Sequence, residues 1–426
     1  MLNQNSINKS TKQRVIFMIA LIIAGETIFF LPFVLARVFR PTLLVVFDLT
    51  NFELGTIFSV YGIVAMVSYL FGGPLADKFP ARKLISIALA TTAFGGLVMA
   101  SIPSLENMKL LYAFWGLTTI FLFWAALIRA TREWGGEKLQ GSAFGFLEGG
   151  RGLVAALIAT VAVAIFAVLL PVDVKSASLA QRTDAFSYII LFVSIFTLIV
   201  SVLVYFTLPS TNDNQAYEST SISLKVIWKV MAMPVVWLQA IIIVCAYVGY
   251  KATDDFSLYA KDVLLFDDVR AAGVGTIALW MRPVVAISAG FIADRLSASK
   301  MIIFSFVLML IGGIVIGSGV LNQGIFWYFL IIIVTISIGI YALRGLYFAI
   351  MEEGGIPLIY TGTAVGLISV IGYTPDIFMG PLMGYLLDRS PGALGHQHVF
   401  LVLAGFSFIG LVAAFWFRGI TKRTLA

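Results

Sequence analysis

Charged residues inside long apolar stretches are the most informative feature of this sequence. Glu26 and Arg282 are each flanked on both sides by runs of uncharged, mostly apolar residues. Arg151 follows Glu148 by three positions at the start of another such run. Ionisable side chains are costly in these surroundings and mark functional sites by default. An arginine offers a planar fork of donors to a carboxylate, phosphate or sulfonate, and a buried carboxyl can take up and release a proton.

The sequence assigns each of these charges a function and an alternative. Arg282 is predicted to bind an anionic group of a ligand, because it lies too far from either end of its run to reach water. The alternative is an internal ion pair with Glu26 or Asp376. Glu148 and Arg151 share a helix face and are predicted to contact the ligand, unless they only satisfy each other. Glu26 is predicted to bind a proton or the ligand, and otherwise to hydrogen-bond to a neighbouring helix.

Two further groups of residues combine charge with a helix end or a helix breaker. Lys251, Asp254 and Asp255 close an apolar run and are predicted to form an outer gate or a proton-coupling site, the alternative being a solvated helix end. Pro375 and Asp376 place a helix breaker beside an acid, which predicts a bending helix and a second proton-coupling candidate. Aromatic residues of the same runs are predicted to line a cavity and contact the ligand: Tyr61, Trp280 and Tyr373.

Composition indicates that the apolar runs lie in a membrane. Hydrophobic residues make up 60% of the 426 residues and charged residues only 12%, with a mean hydropathy of +1.00. A water-soluble domain carries roughly a quarter charged residues, so this chain cannot cover its surface with charge. The runs are continuous and show no alternation of period two, which predicts helices and not a barrel. The net charge of +6 is no nucleic-acid footprint, because the basic residues stand at the ends of the runs.

The pattern predicts twelve membrane-spanning helices with a polar segment between the sixth and the seventh. Lysine and arginine are more frequent on the side of the termini, which predicts a bacterial inner-membrane protein with both termini in the cytoplasm. The predicted spans are 15–37, 54–72, 84–102, 109–130, 141–170, 185–207, 233–251, 271–290, 301–320, 325–348, 359–386 and 398–417.

An internal repeat divides the chain. The segment 73–83, GPLADKFPARK, matches 290–300, GFIADRLSASK, in its glycine, alanine, aspartate and final lysine. The pair Gly95-Gly96 matches Gly312-Gly313 at the same offset. Ordered matches at constant spacing predict two six-helix bundles related by a pseudo-two-fold axis, with a ligand site between them near the bilayer midplane. The predicted units are an N-terminal bundle 1–208, a cytoplasmic linker 209–229 and a C-terminal bundle 230–426.

The segment 73–84 resembles the signature loop of the major facilitator superfamily, although Pro80 and Ala81 stand where that family usually has glycine and arginine. The stretch 124–151 is similar to the fourth and fifth helices of its organic-anion and organophosphate exchangers, and we also expect a likeness to its nitrate/nitrite-type branch. The resemblance implies the twelve-helix fold of that family and a cytoplasmic gate. In that gate two small residues allow close helix approach, and two carboxylates each pair with an arginine, the alternative being static ion pairs that cap loops. The predicted gate consists of Gly73 and Gly290, of Asp77 paired with Arg129 or Arg132, and of Asp294 paired with Arg344.

Together these features predict a secondary active transporter that works by alternating access. Its cargo is predicted to be a small polar, anionic organic solute, driven by proton coupling or anion exchange. The alternatives are an uncoupled facilitator or a drug or lipid exporter of the same fold, and, from another class, a membrane sensor without transport. We expect a monomer in the lipid bilayer, with no cofactor, no metal, no nucleic-acid partner and no enzymatic activity. The histidines, His396 and His398, are predicted to lie in the last outer loop.

Overall fold

The computed structural model describes residues 11–135, 140–209, 224–321, 326–357 and 361–425. All regular secondary structure in these ranges is helical. Twelve of the helices are long and apolar enough to cross a membrane, which confirms the number predicted from the sequence. Large apolar side chains such as Phe94, Phe206 and Phe291 are exposed, as a surface in contact with lipid requires.

Spans 1 to 6 form the N-terminal half. Span 1 comprises Thr11–Phe29, the π-helical Phe30–Val34 and Leu35–Val38, and a short helix Arg40–Val46 follows it. Spans 2 and 3 are Asn51–Lys78 and Ala81–Ala100. Span 4 comprises Leu105–Gly116, the π-helical Leu117–Trp124 and Ala125–Gly135. Span 5 is Gln140–Leu169, and a 3₁₀ turn Val174–Ser176 precedes span 6, Leu179–Thr207.

Spans 7 to 12 form the C-terminal half, and a short helix Leu224–Met231 precedes them. Most of the predicted linker 209–229 lies outside the described residues. Span 7 comprises Pro234–Ala252, the 3₁₀ turn Thr253–Asp255 and Phe256–Asp262. Spans 8 and 9 are Asp268–Leu296 and Ala298–Gly317, and span 10 is Phe326–Leu346, with a short helix Ile350–Glu353 after it. Span 11 comprises Thr361–Gly372 and Pro375–Arg389, and span 12 is Ala393–Leu425.

Several helix starts follow from local chemistry. Thr50 accepts a hydrogen bond from the backbone N–H of Glu53, whose side chain accepts one from the backbone N–H of Thr50, so span 2 begins with a capping box. Ser178 and Gln181 do the same at the start of span 6. Pro375 begins the second helix of span 11, because proline cannot continue the preceding helix but fits the first turn of a new one.

The two halves pack most closely at one end of the bundle. We call the end with residues 11–14 and 418–425 the terminal face, and the end with the turns at 48–50 and 390–392 the loop face. One hydrophobic cluster belongs to the N-terminal half alone and a second to the C-terminal half alone. The third contains residues of both halves, such as Phe58 and Met379, and lies toward the loop face. The loop face is therefore where the halves share a core.

Glycines show the same asymmetry between the two faces. A Cβ atom on Gly55 would lie 2.3 Å from the carbonyl oxygen of Gly380, and one on Gly384 would lie 2.3 Å from that of Asn51. Spans 2 and 11 thus touch backbone to backbone near the loop face, where no larger residue fits. Gly73 and Gly290 have open space instead, with nothing within 4 Å of a Cβ atom. The predicted close helix approach at these two glycines is therefore not present in this conformation.

Candidate functional site

A cavity lies between the two halves. The interrupted segments of spans 1, 4 and 11 all border it, through residues such as Phe33, Trp124 and Tyr373. Several predicted site residues line it, among them Glu26, Arg151, Tyr61, Tyr373 and Asp376. The remaining lining residues are Phe29, Phe33, Val34, Arg37, Ala65, Tyr69, Ile120, Trp124, Tyr247, Tyr250, Lys251 and Arg344. The cavity is therefore rich in tyrosine and in charge.

Glu26, Glu148, Arg151 and Arg282, here called the charge cluster, contact one another beside the cavity. The Glu26 carboxylate lies 3.0 Å from the Arg282 guanidinium and 3.3 Å from that of Arg151. The Glu148 carboxylate lies 2.6 Å from Arg151 and 3.4 Å from Arg282. Gly152 makes room for this arrangement, because a Cβ atom there would lie only 2.9 Å from Cγ of Arg282. The cluster joins span 8 to spans 1 and 5.

In the charge cluster Arg282 pairs with Glu26, which is the internal ion pair given above as the alternative to anion binding. Arg282 and Glu26 are both buried, and Arg282 is absent from the cavity lining described above. Two carboxylates balance two guanidinium groups, so the cluster has no charge left over for an external anion. Trp280 also departs from the prediction. It is 38% exposed and donates a hydrogen bond from Nε1 to Thr160 Oγ1 at 3.0 Å, outside the cavity.

A second set of polar residues, the gate network, joins span 1 to spans 7 and 11. Arg37 Nε lies 2.6 Å from Asp254 Oδ1, and Arg37 Nη1 donates to the Tyr250 hydroxyl at 2.9 Å. Lys251 Nζ lies 3.3 Å from Asp376 Oδ1 and 3.8 Å from Asp254 Oδ2. Arg37, Lys251 and Asp254 are all buried, so a solvated helix end at span 7 is excluded. The network closes the cavity toward the loop face.

Further contacts between the halves reinforce this closure. The backbone N–H of Phe52 donates to the Asp388 carboxylate at 2.7 Å, which also accepts from the backbone N–H of Asn51 at 3.1 Å. Arg182 lies 3.2 Å from Asp268. The Ser257 hydroxyl donates to the backbone carbonyl of Arg37 at 2.8 Å. The loop face is thus held by ion pairs as well as by its shared core.

We expect the substitution Asp254→Asn to open the loop face, because it removes the charge that holds Arg37 across the two halves. Labelling of Ala65→Cys in the cavity by a membrane-impermeant thiol reagent, in a Cys245→Ser background, should rise several-fold from that side. Glu106→Gln breaks an exposed ion pair with Lys109 and is the matched control. Equal labelling in the Asp254→Asn variant and the control would contradict a gate at this position.

Arg344, predicted as a gate residue, lines the cavity. Its guanidinium carbon is 3.9 Å from the ring centroid of Tyr250 and 5.7 Å from that of Tyr247. On the same Tyr250 ring, the Arg37 guanidinium carbon is 4.3 Å from the centroid. Nε and Nη1 of Arg344 are buried and have no hydrogen-bond partner among the described residues. The side chain of Asp294, its predicted partner, lies outside the described part of the chain.

The other half of the predicted gate differs from its counterpart. Arg129 donates to the backbone carbonyl of Ala76 at 2.6 Å and pairs with Glu133 at 2.9 Å. The side chain of Asp77, its predicted partner, lies outside the described residues, and Arg132 is exposed. Arg129 therefore caps the end of span 2, whereas Arg344 is directed into the cavity.

His396 is the clearest correction to the sequence analysis. It lies in span 12 and is fully buried, not in an outer loop. Its Nδ1 is 2.7 Å from Asp255 Oδ2. Asp255, predicted as part of the outer gate or as a coupling site, thus faces His396, whereas the neighbouring Asp254 faces Arg37.

Sequence reasoning missed Arg344 and Tyr69 as cavity residues. Arg344 stands near the end of a predicted span, where an arginine ordinarily reaches water. A usable signal was present in Tyr247 and Tyr250, which are three positions apart and so present both rings on one helix face. Such a pair of rings is suited to a guanidinium from a facing span.

Two helical bundles, a charged cavity between them and closure at one face define a membrane transporter. The chain belongs to the Major Facilitator Superfamily, whose family model matches residues 15–374. It is 27% identical over 418 residues to the inner membrane protein YihN of Escherichia coli (strain K12), covering 95% of each chain. It is also 27% identical over 375 residues to the inner membrane protein YqcE of the same organism, covering 86% of each chain. With these relatives, twelve spans indicate a multi-pass inner-membrane protein.

Solved structures share the fold. A bacterial homologue of the human lysosomal transporter Spinster, in an inward-facing and unoccupied conformation, superposes with a TM-score of 0.72 at 12% identity, covering 98% of each chain. The nucleoside transporter NupG superposes with a TM-score of 0.68 at 14% identity, covering 97% of this chain and 100% of that chain. These likenesses establish the architecture, and the likeness to the organic-anion and nitrate-type branches stays a prediction.

Proposed function

We propose that this protein is a secondary active transporter for a small organic anion, with both termini in the cytoplasm. The observation that carries the proposal is the charge balance of the cavity. Arg37 pairs with Asp254 and Lys251 with Asp376. The charge cluster is neutral. Arg344 is the cation left without a carboxylate among the described residues, and its partner would be supplied by the cargo.

An unpaired guanidinium at this position is unfavourable for the empty protein. Removing a charge from water costs several kcal/mol unless an opposite charge compensates it. The Tyr250 ring offsets part of this cost through its π-face, typically on the order of 1–2 kcal/mol. A carboxylate, phosphate or sulfonate could accept two parallel hydrogen bonds from the fork and supply the rest. Arg344 therefore has the properties of a binding residue more than those of a structural one.

The rest of the lining favours a polar cargo over a lipophilic drug. Hydroxyl groups of Tyr69, Tyr247 and Tyr373 lie around the same space. Tyrosine combines an aromatic face with a hydrogen-bonding tip, which suits a hydroxylated or ring-shaped solute. Burying this many charged side chains costs free energy, and a site for apolar compounds has no use for them. Ion pairs and a shared core hold the two halves together at the loop face, as one of the states of alternating access requires.

The coupling mode has two candidates, proton coupling and anion exchange. Glu26 is held by two arginines of the charge cluster, Arg151 and Arg282. Asp376 lies beside the cavity, where it pairs with Lys251. It accepts from the Tyr247 hydroxyl at 3.1 Å and lies at the break in span 11. A change of protonation there would act directly on the helix that packs against span 2.

Solute counterflow in proteoliposomes tests the proposal. We expect labelled organic anions, such as sugar acids, organophosphates or sulfonates, to exchange across the membrane when the protein is present. Matched neutral analogues, in which an alcohol or amide replaces the acid group, should not exchange. Uptake that requires an anion inside the vesicles would identify an exchanger, and accumulation driven by an imposed pH gradient would identify proton coupling. Exchange of the neutral analogues at the same rate would refute an anion site at Arg344.

A further inference from the structure

A buried histidine site lies at the loop face, apart from the cavity. His396 Nδ1 is 2.7 Å from Asp255 Oδ2, and His396 Nε2 is 3.4 Å from Asp262 Oδ2. The side chains of His396 and Asp255 are 0% exposed, whereas that of Asp262 is 37% exposed. The site thus leads from a half-exposed carboxylate, through an imidazole, to a buried carboxylate.

The geometry matches a protonated imidazole. A neutral ring donates from one nitrogen only, whereas an imidazolium donates from both. Here each ring nitrogen faces a carboxylate oxygen, so only the imidazolium satisfies both contacts. Oδ1 of Asp255 has no hydrogen-bond partner among the described residues, which makes the contact with His396 the main compensation for its buried charge. Loss of the proton would leave that carboxylate poorly compensated.

The surroundings contain few other charges. The Tyr259 ring lies edge-on to His396, with the centroids 5.2 Å apart. The negative charges of Asp255 and Asp262 also act on the buried Arg40 guanidinium, which hydrogen-bonds to Asn51. Lys261 is engaged with Asp268 at 2.9 Å. Arg40 therefore neutralises part of the negative charge, and His396 is the titratable group that contacts both carboxylates.

The histidine site is connected to the gate network through one turn of the backbone. Asp255 follows Asp254 in the 3₁₀ turn Thr253–Asp255. Asp254 binds Arg37 of the other half, and Ser257 donates to the backbone carbonyl of Arg37. One side of the turn thus holds the N-terminal half, and the other side holds the histidine site. A change of charge at His396 occurs one residue away from the gate.

We infer that His396, Asp255 and Asp262 form a proton-binding site that is linked to closure of the loop face. The proton adds to the imidazole from water at the loop face by way of Asp262, and it stabilises the turn that carries Asp254. Opening of the loop face and release of this proton are then coupled, because each is favoured by loss of the same contacts. The inference deepens the proposed function, since it places a proton-binding step in the transport cycle.

Cysteine accessibility across a pH series tests this linkage. In the Cys245→Ser, Ala65→Cys background, labelling from the loop face should rise several-fold as pH rises and the imidazolium is lost. Labelling is taken relative to that of the unfolded protein at the same pH, because the thiolate is the reactive form of cysteine. On this scale His396→Gln should label at one level across the series. His398→Gln, on the same helix, is the matched control and should keep the pH dependence. Asp262→Asn replaces the half-exposed carboxylate without a change of volume and should move the midpoint to lower pH by about one unit.

A direct readout guards against variants that only fold poorly. In the His398→Gln protein, His396 is the sole histidine, so its ¹⁵N ring signals report its protonation without ambiguity. We expect an imidazolium at neutral pH that loses its proton over the range in which labelling rises. A neutral ring throughout, or an unchanged pH dependence in His396→Gln, would overturn the inference.

Counterflow of organic anions on the same proteins separates the two proposals. If anion exchange is intact but the pH dependence of labelling is unchanged in His396→Gln, the proton-binding site is refuted and the proposed function is not. If the pH dependence of labelling is lost in His396→Gln but the protein exchanges no anion, the proposed function is refuted and the proton-binding site is not.

Discussion

Replacing Arg344 with glutamine should weaken binding of the organic anion on the order of 100-fold and abolish saturable uptake at low concentration. Glutamine keeps a hydrogen-bonding head but removes the only cavity charge that lacks a carboxylate partner among the described residues. Arg344→Lys keeps the charge without the planar fork, so we expect a smaller loss, about tenfold. The measurement is a binding isotherm for the purified protein, together with counterflow of the same anion.

A stability measurement distinguishes this loss of binding from unfolding. Since Arg344 has no ion pair among the described residues, the melting temperature of the ligand-free Arg344→Gln protein should stay level or rise. Added anion should raise the melting temperature of the wild type and leave that of the variant unchanged. Arg389→Gln removes an exposed arginine whose partner is Tyr385, and it should behave as the wild type does. Wild-type affinity in Arg344→Gln would exclude this residue from the site.

The charge cluster should show the largest effect on stability. Arg282→Met removes a buried cation and leaves Glu26 with Arg151 as its remaining arginine, already shared with Glu148. Breaking such a buried arrangement costs about 3–5 kcal/mol. The double variant Glu26→Gln, Arg282→Met removes one charge of each sign and leaves the Glu148–Arg151 pair intact. It should recover about 2 kcal/mol or more of the stability lost in the single variant.

Unfolding of the purified protein in detergent, followed for both single variants and the double variant, gives this coupling energy directly. The exposed pair Lys109 and Glu106 supplies the control cycle, where the coupling should stay below about 0.5 kcal/mol. Uptake should be lost in the single and the double variants, since the cluster joins span 8 to the opposite half. A single variant as stable as the wild type would contradict a paired cluster.

The architecture was predictable because the bilayer restricts the possible structures. Each span must be a helix of sufficient length, so the count of twelve and the break at Pro375 follow from the chain itself. The charge cluster was predictable in its members, since Glu26, Arg151 and Arg282 stand out against apolar neighbours. Which member pairs with which was not predictable, because it depends on the rotation of three helices about their axes.

The sequence does not show which way a side chain near a helix end points. Arg129 and Arg344 stand near the ends of corresponding spans in the two halves, yet Arg129 caps a carbonyl and Arg344 enters the cavity. The aromatic faces that attract Arg344 come from span 7, so nothing within span 10 indicates them. His396 was misplaced for a related reason. Span 12 begins at Ala393, earlier than its apolar pattern suggests, because the buried carboxylate of Asp255 in span 7 compensates the polar ring of His396.

The charge of Arg344, which has no carboxylate partner among the described residues, has an electrical consequence. With a monovalent anion bound at Arg344, the centre of the protein carries no net charge, whereas the unoccupied carrier holds one positive charge there. A transmembrane voltage acts on a full elementary charge with about 2.3 kcal/mol per 100 mV and does not act on a neutral centre. The electric field would therefore speed or slow the conformational change of the empty carrier and leave that of the anion-loaded carrier unaffected. Net transport, which needs the empty carrier to return, would then depend on voltage, whereas exchange of one anion for another would not.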